Sequence, residues 1–160
     1  MADAVTRPNA EGHQLLCVRV GDQEFALNIR AIREIRGWIS STPLPHAPSY
    51  IKGMINLRGS VLAIIDLAER LGLPSVAPNG TSVVVVIEHG DRVIGLLVDA
   101  VSDIITTTDE MRQVAPETGS AASREFVEAL LMRDQKIVGV LAIDAVMPKD
   151  TSLEAELETV

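Results

Sequence analysis

The acidic residues are the side chains of this sequence best suited to acid–base chemistry, and Glu34 and Asp103 are the main candidates. Glu34 lies among isoleucines and beside Arg33 and Arg36. Such a carboxylate can be a catalytic acid, a member of a surface ion pair or a contact to a partner protein. Catalysis ranks last, because the sequence places no second functional group beside Glu34. Asp99 and Asp103 lie close together in the sequence, with nothing near them that identifies a substrate.

Nucleophiles and metal ligands are sparse. The three histidines stand far apart, and the single cysteine, Cys17, lies in an apolar stretch typical of a buried structural thiol rather than a nucleophile. The sequence has no phosphate-binding glycine loop, no GxSxG nucleophile elbow and no close Cys/His cluster. We therefore expect no enzymatic activity, no cofactor and no metal ion.

The composition narrows the class of protein. The chain has 160 residues, of which 47% are hydrophobic, which suits one compact domain or two small halves that share a core. A net charge of −8 argues against binding a nucleic-acid backbone, and four aromatic residues are too few for a base-stacking surface. The longest aliphatic run, residues 83–87, is far shorter than the roughly 20 residues of a spanning helix. With no secretion signal evident, we expect a cytoplasmic protein without membrane insertion.

The first half of the chain alternates short apolar stretches with turn residues, a pattern typical of β-hairpins. Residues 13–27 predict a hairpin that turns after Gly21, and residues 50–65 predict a second one. Asn28 is predicted to cap a single helical turn between them. Asp66 is predicted to cap a short helix after the second hairpin.

The second half repeats this plan after a proline- and glycine-containing linker at residues 74–82. Strands are predicted over residues 83–87, 93–98, 104–108 and 137–143. Residues 126–132 fit a helix or a strand equally well, and residues 109–123 are expected to form a loop. Asp144 is predicted to cap the last helical turn, as Asp66 caps the first.

The two halves align with each other when the chain is shifted so that Gly21 meets Gly90. The identical pairs are then Gly21/Gly90, Asp22/Asp91, Leu27/Leu96, Ala31/Ala100 and Ile35/Ile104. Ile32/Val101 and Glu34/Asp103 are among the similar pairs. Self-similarity of this kind indicates a repeated unit, and short strands with frequent turns favour a small barrel for each unit. Because so small a unit buries little apolar surface alone, the two are expected to share a core and to form a groove between them.

This organisation predicts two subdomains and two tails. The predicted segments are a flexible N-terminal tail (1–12), a first β-barrel subdomain (13–73), a linker (74–82), a second β-barrel subdomain (83–147) and an acidic C-terminal tail or short helix (148–160). The sequence leaves open whether a strand of one half crosses over to complete the other.

Four stretches of the chain resemble the CheW-type chemotaxis coupling proteins. They are Glu34-Ile35-Arg36-Gly37, IKGMINLRG at residues 51–59, Ile65-Asp66-Leu67 and VIGLLVDAVSDI at residues 93–104. They occur in the order and spacing of that family, and the resemblance extends from residue 14 to residue 147. It implies a mainly β fold, in which two five-stranded SH3-like barrels with short helices pack around a shared hydrophobic core.

The resemblance also implies a scaffolding function without catalysis or a cofactor. It implies that the protein couples the cytoplasmic tip of methyl-accepting chemoreceptors to the regulatory domain of the chemotaxis histidine kinase. Other coupling proteins are candidate partners, and the protein would be recruited from the cytoplasm to membrane-associated receptor arrays. No nucleic acid and no direct membrane insertion are implied.

The family's receptor contacts fall on five residues of this chain, namely Ile32, Glu34, Arg58, Val101 and Ile104. The three apolar residues could receive the ridge of a helical hairpin, although plain core packing is their alternative role. Arg58, at a hairpin turn, could donate to a receptor carboxylate or carbonyl, or be an ordinary surface residue. Glu34 could pair with a receptor arginine or hold Arg58 in position. Trp38, where the family usually has a smaller group, is a further candidate partner contact.

Two other functions remain open from the sequence. A small-molecule-binding module would use the groove between the barrels for an apolar ligand and would need no protein partner. An enzyme would use Glu34 or Asp103, and alanine at either position would then abolish turnover while partner binding persisted.

Overall fold

Strands dominate the fold. The computed structural model describes residues 13–75, 77–108, 113 and 125–148. The strands in these residues are β1 (His13–Val20), β2 (Gln23–Asn28), β3 (Ile32–Gly37), β4 (Ile51–Leu57), β5 (Ser60–Asp66), β6 (Val83–His89), β7 (Arg92–Val98), β8 (Ala100–Thr107), β9 (Val127–Arg133) and β10 (Lys136–Leu141). The short helices are a 3₁₀ turn (Ile29–Ala31), α1 (Leu67–Arg70) and α2 (Ile143–Val146). The predicted mainly β fold is confirmed.

The strands form two five-stranded sheets that exchange strands between the halves of the sequence. The first sheet has the order β8-β1-β2-β10-β9, and the second has the order β3-β6-β7-β5-β4. Each sheet thus combines the leading hairpin of one half with three strands of the other half. The crossing that the sequence left open is present, and neither sheet coincides with residues 13–73 or with residues 83–147.

The two sheets have the same topology. When each strand is replaced by its equivalent in the other half (β1 by β6, β2 by β7 and so on), the strand order of the first sheet becomes that of the second. The pairing registers agree as well. Leu15 lies opposite Asn28 in the first sheet, and Val84 lies opposite Leu97 in the second. The alignment that matches Gly21 with Gly90 also matches Leu15 with Val84 and Asn28 with Leu97. The repeat in the sequence is therefore a repeat in the structure.

Alternate residues of the central strands are buried on opposite sides. In β1, Leu15 and Cys17 face a cluster inside the first sheet, which we name the first barrel core, whereas Leu16 faces a larger cluster between the sheets, the shared core. In β6, Val84 faces the corresponding cluster inside the second sheet, the second barrel core, and Val85 faces the shared core. Strands covered on both faces read as unbroken apolar runs, which explains the aliphatic stretch at residues 83–87.

Both predicted caps of the first half are present. The side chain of Asn28 accepts a hydrogen bond of 2.9 Å from the N–H of Arg30 at the start of the 3₁₀ turn. The side chain of Asp66 accepts one of 3.0 Å from the N–H of Ala68 at the start of α1. A short polar side chain at either position satisfies backbone donors that the helix itself leaves unpaired.

The predicted cap at Asp144 is wrong, because the second half carries an insertion before its last two strands. Gly53 lies opposite Ile64 in β4 and β5, whereas Ala129 lies opposite Val140 in β9 and β10. These two pairings make Gly53 equivalent to Ala129, an offset larger than that between Gly21 and Gly90. The same offset makes Asp66 equivalent to residue 142. That residue is an alanine, and α2 begins there without a side-chain cap.

Two segments whose local pattern did not decide between helix and strand form strands by pairing with other strands. The helical turn after Asn28 ends at residue 31, and β3 follows, paired antiparallel with β6. Residues 127–133, in the stretch left undecided between helix and strand, form β9 against β10. The expected tail at 1–12, the expected tail at 148–160 apart from its first residue, and most of the expected loop at 109–123 lie outside the described residues.

Arg70 joins the two halves at the end of α1. Its guanidinium donates to the carbonyl oxygens of Ala145 and Val146 at 3.1 Å each, and to that of Met147 at 3.4 Å. It also lies 4.4 Å from the centre of the Tyr50 ring, a cation–π contact. Backbone carbonyls at the end of α2 have no partners within the helix, so Arg70 supplies them from the other half.

None of the helices in these described ranges has the length and apolar character that a bilayer crossing requires.

Candidate functional site

Arg58 and Glu34 form an ion pair between the two end strands of the second sheet. Arg58 is the first residue of the tight turn between β4 and β5, with φ at +53°, and Gly59 follows at +88°. Positive φ at both positions is typical of the type I′ turn, which favours Asn-Gly over Arg-Gly. Both terminal nitrogens of Arg58 donate to the carboxylate of Glu34, on β3. Since β3 and β4 end the sheet order, this pair helps to close the sheet into a barrel.

The electrostatics of the pair leave the arginine open to a partner. The hydrogen bond from Arg58 is the main cause that lowers the pKa of Glu34, and Arg36, 3.6 Å away, lowers it further against the opposing effect of desolvation. The same hydrogen bond raises the pKa of Arg58. The Arg58 side chain is 68% exposed, against 25% for Glu34. A guanidinium has five N–H donors, so donors remain for an incoming oxygen atom.

The predicted apolar contacts lie on the two end strands β3 and β8. Ile32 and Val101 are partly buried and both pack against the shared core. Ile104 is 54% exposed. Core packing, the alternative for Ile32 and Val101, thus accounts for part of each side chain, whereas Ile104 projects to solvent.

The sequence alone did not single out Ile35, which is 46% exposed. Ile35 lies opposite Val85, and Ile104 lies opposite Leu16. Both of these partners belong to the shared core, and residues opposite each other in a sheet point to the same face. Ile35 and Ile104 therefore face the shared-core side of their sheets. The signal that could have found Ile35 was its identity with Ile104 when the two halves are aligned.

We name Ile32, Ile35, Val101 and Ile104 the seam surface. The second sheet supplies the first two residues and the first sheet supplies the other two, and all four lie opposite residues of the shared core. Trp38 is not part of it, because Trp38 is partly buried and packs against the second barrel core. Its role as a partner contact stays a prediction.

A second ion pair joins the end strands of the first sheet, from a position one residue before the equivalent of Arg58. Asp103 on β8 accepts a hydrogen bond from Arg133 at the end of β9, and these are again the two end strands of a sheet. Arg133 also lies 4.0 Å from Glu24 on β2. The hydrogen bond to Asp103 is the main cause that raises the pKa of Arg133. Asp103 is thus engaged in closing a barrel.

The remaining chemistry of the described residues is slight. Burial is the main cause that raises the pKa of the Cys17 thiol, and the side chain is fully buried. Within the ranges that the structure covers, no group of three or more His, Cys, Asp or Glu residues is placed to hold a metal ion. A cavity lined by residues that include Val20, Asp66 and Asp99 holds about 60 Å³. Sites for small molecules usually hold about 300–1,000 Å³, so this cavity gives the small-molecule function little support.

Comparison with known proteins gives consistent matches over most of the chain. A family model described as a CheW-like domain matches residues 14–150. The chain is 45% identical over 152 residues to the probable chemotaxis protein CheW of Rhizobium etli, an alignment that covers 95% of this chain and 98% of that protein. It is 44% identical over 150 residues to the chemotaxis protein CheW of Rhizobium meliloti, with coverages of 94% and 97%.

The fold also matches a solved structure. The crystal structure of the scaffolding protein TtCheW from Thermoanaerobacter tengcongensis aligns with a TM-score of 0.76 at 26% sequence identity, and the alignment covers 82% of this chain and 89% of that one. The prediction of two five-stranded barrels with a shared core is confirmed.

Proposed function

The chain belongs to the CheW-like family of chemotaxis scaffolding proteins, which are adaptors rather than enzymes, and from this premise we propose that it couples chemoreceptors to a chemotaxis histidine kinase. It binds the cytoplasmic tip of methyl-accepting receptors on one side and the regulatory domain of the kinase on the other. Receptor state then controls kinase autophosphorylation through the scaffold. The protein works in the cytoplasm, at receptor arrays on the membrane.

The exposed Arg58, paired with Glu34 on the strand that also carries Ile32 and Ile35, is the observation that carries this proposal. Ile32, Val101 and Ile104, together with Ile35, offer apolar side chains to one ridge of a helical hairpin. Arg58 offers a planar donor to a carboxylate or carbonyl of the same hairpin. Glu34 holds the guanidinium in position, so little side-chain freedom is lost when the receptor binds.

Charge reversal at Arg58 tests the proposal. Arg58→Glu should fold normally, yet bind receptor tips more than tenfold more weakly, which is a loss above about 1.4 kcal/mol. The new carboxylate repels Glu34 and removes the donor. Affinity is measured by titration with a soluble receptor-tip fragment, and kinase activation is measured in reconstituted arrays.

Arg33→Glu is the matched control, since Arg33 lies on the same strand as Glu34 and forms an exposed pair with Glu88 at 3.6 Å. It reverses the same charge at a side chain that is not one of the predicted receptor contacts, so binding should change little. Binding and kinase activation by Arg58→Glu at the level of the unchanged protein would refute this site.

A further inference from the structure

The end strand β8 contains a β-bulge within the stretch that carries two of the predicted receptor contacts. Asp103 lies opposite Cys17, which belongs to the first barrel core. Val101 lies opposite Val18, which belongs to the shared core. Ser102, between them, is an extra residue with no opposite residue on β1. The bulge therefore lets Val101 and Asp103, two residues apart, face opposite sides of the sheet, whereas such residues face the same side in a regular strand.

This bulge decides whether Val101 belongs to the seam surface. If β8 lost the bulge while Asp103 kept its place in the register, the pairing would slip by one residue from Ser102 onward. Ser102 would then replace Val101 opposite Val18. Val101 would turn to the other face of the sheet, away from Ile104, because a slip of one residue reverses the direction of every side chain that it moves.

The side chain of Ser102 binds across the bulge and favours the register that contains it. Its hydroxyl donates a hydrogen bond of 3.2 Å to the backbone carbonyl oxygen of Cys17, the last residue of β1 before the register shifts. In the slipped register Ser102 would share the face of Val18, so its hydroxyl would point toward the aliphatic side chains of the shared core. Burying a hydroxyl there is unfavourable, which adds to the preference for the bulge.

The equivalent bulge in β3 is stabilised differently. Its extra residue is Arg33, which is equivalent to Ser102 when the two halves are aligned. Arg33 pairs with the exposed carboxylate of Glu88 at 3.6 Å, and ion pairs of this kind contribute little to stability. The printed contact of Arg33 is thus with another side chain, whereas Ser102 binds the backbone of the neighbouring strand.

Discussion

At the scale of single residues, Arg58 shows how far a sequence can define a site. Its position in the IKGMINLRG stretch suggested a contact at a turn, and its pairing with Glu34 was one of two roles open for that carboxylate. The structure brings the two side chains together, although they are far apart in the chain. The ion pair of Glu24 with Arg133 could not be predicted, because it depends on the distance of β2 from the end of β9, which no local pattern encodes.

The Glu34–Arg58 pair predicts a pH dependence of folding stability. The pKa of Glu34 is lowered in the folded protein, so the pair stabilises the fold above the unfolded-state pKa, and this stabilisation is lost as the pH falls through the lowered value. Glu34→Gln should therefore lower the free energy of unfolding at pH 7 and lose this effect in acid.

Urea unfolding of the unchanged protein, Glu34→Gln, Arg58→Gln and the double variant measures this effect from neutral pH into the acid range. The double variant should be no less stable than either single variant, because one interaction is removed in all three. A stability difference between Glu34→Gln and the unchanged protein that stayed constant down to the lowest pH would contradict the assignment.

At the scale of elements, close packing inside the second barrel limits the size of the side chains that β7 can carry. A Cβ atom on Gly95 would lie 2.7 Å from Ile64 Cδ1 and 2.8 Å from Val84 Cγ1, both in the second barrel core. Gly95→Ala should destabilise the protein by about 1–3 kcal/mol, measured by urea unfolding. Gly37→Ala on β3 is the control, because nothing lies within 4 Å of its Cβ position. Equal effects of the two substitutions would show that packing is not the cause.

The contact between α1 and α2 is the second test at this scale. Arg70→Ala leaves the carbonyl oxygens of Ala145, Val146 and Met147 without their charged donor, so a loss of roughly 2–3 kcal/mol is expected. The stability of Arg70→Lys should fall between those of Arg70→Ala and the unchanged protein, since an ammonium cannot span three acceptors. Hydrogen exchange should rise most at residues 143–147. A rise spread evenly over the chain would contradict a local contact between Arg70 and the end of α2.

Elements that local chemistry defines were predictable, and elements defined by partners were not. Turn glycines and capping side chains marked the hairpins and α1 directly. By contrast, β3 contains Ile32, Arg33 and Ile35 at a spacing that also suits a helix, and its pairing with β6 decides the outcome. The cap predicted at Asp144 was wrong because an acidic residue caps a helix only from the N-cap position, which here is Ala142.

At the scale of the whole molecule, strand exchange makes each half depend on the other. Residues 13–75 contain the whole leading hairpin of the first sheet but none of its other three strands. This segment, made alone, should give the spectrum of an unfolded chain, because its apolar strand faces have nothing to cover them. Mixed with residues 77–148, it should recover the native strand signal in circular dichroism and the native amide spectrum.

Independent folding of either segment would instead favour the predicted division into subdomains 13–73 and 83–147. That outcome would mean that the strands of one half can pair among themselves. Repetition in the sequence thus predicted two similar units, but it could not predict which strands each unit would contribute to which sheet.

The exchanged strands have a consequence for ancestry. A single repeat that kept this exchange would lend three strands to a second copy, and the folded form would be a two-fold homodimer with two identical faces. In one chain of two repeats the equivalent positions can differ, as Glu24 and Val93 do, so the two faces need not be the same.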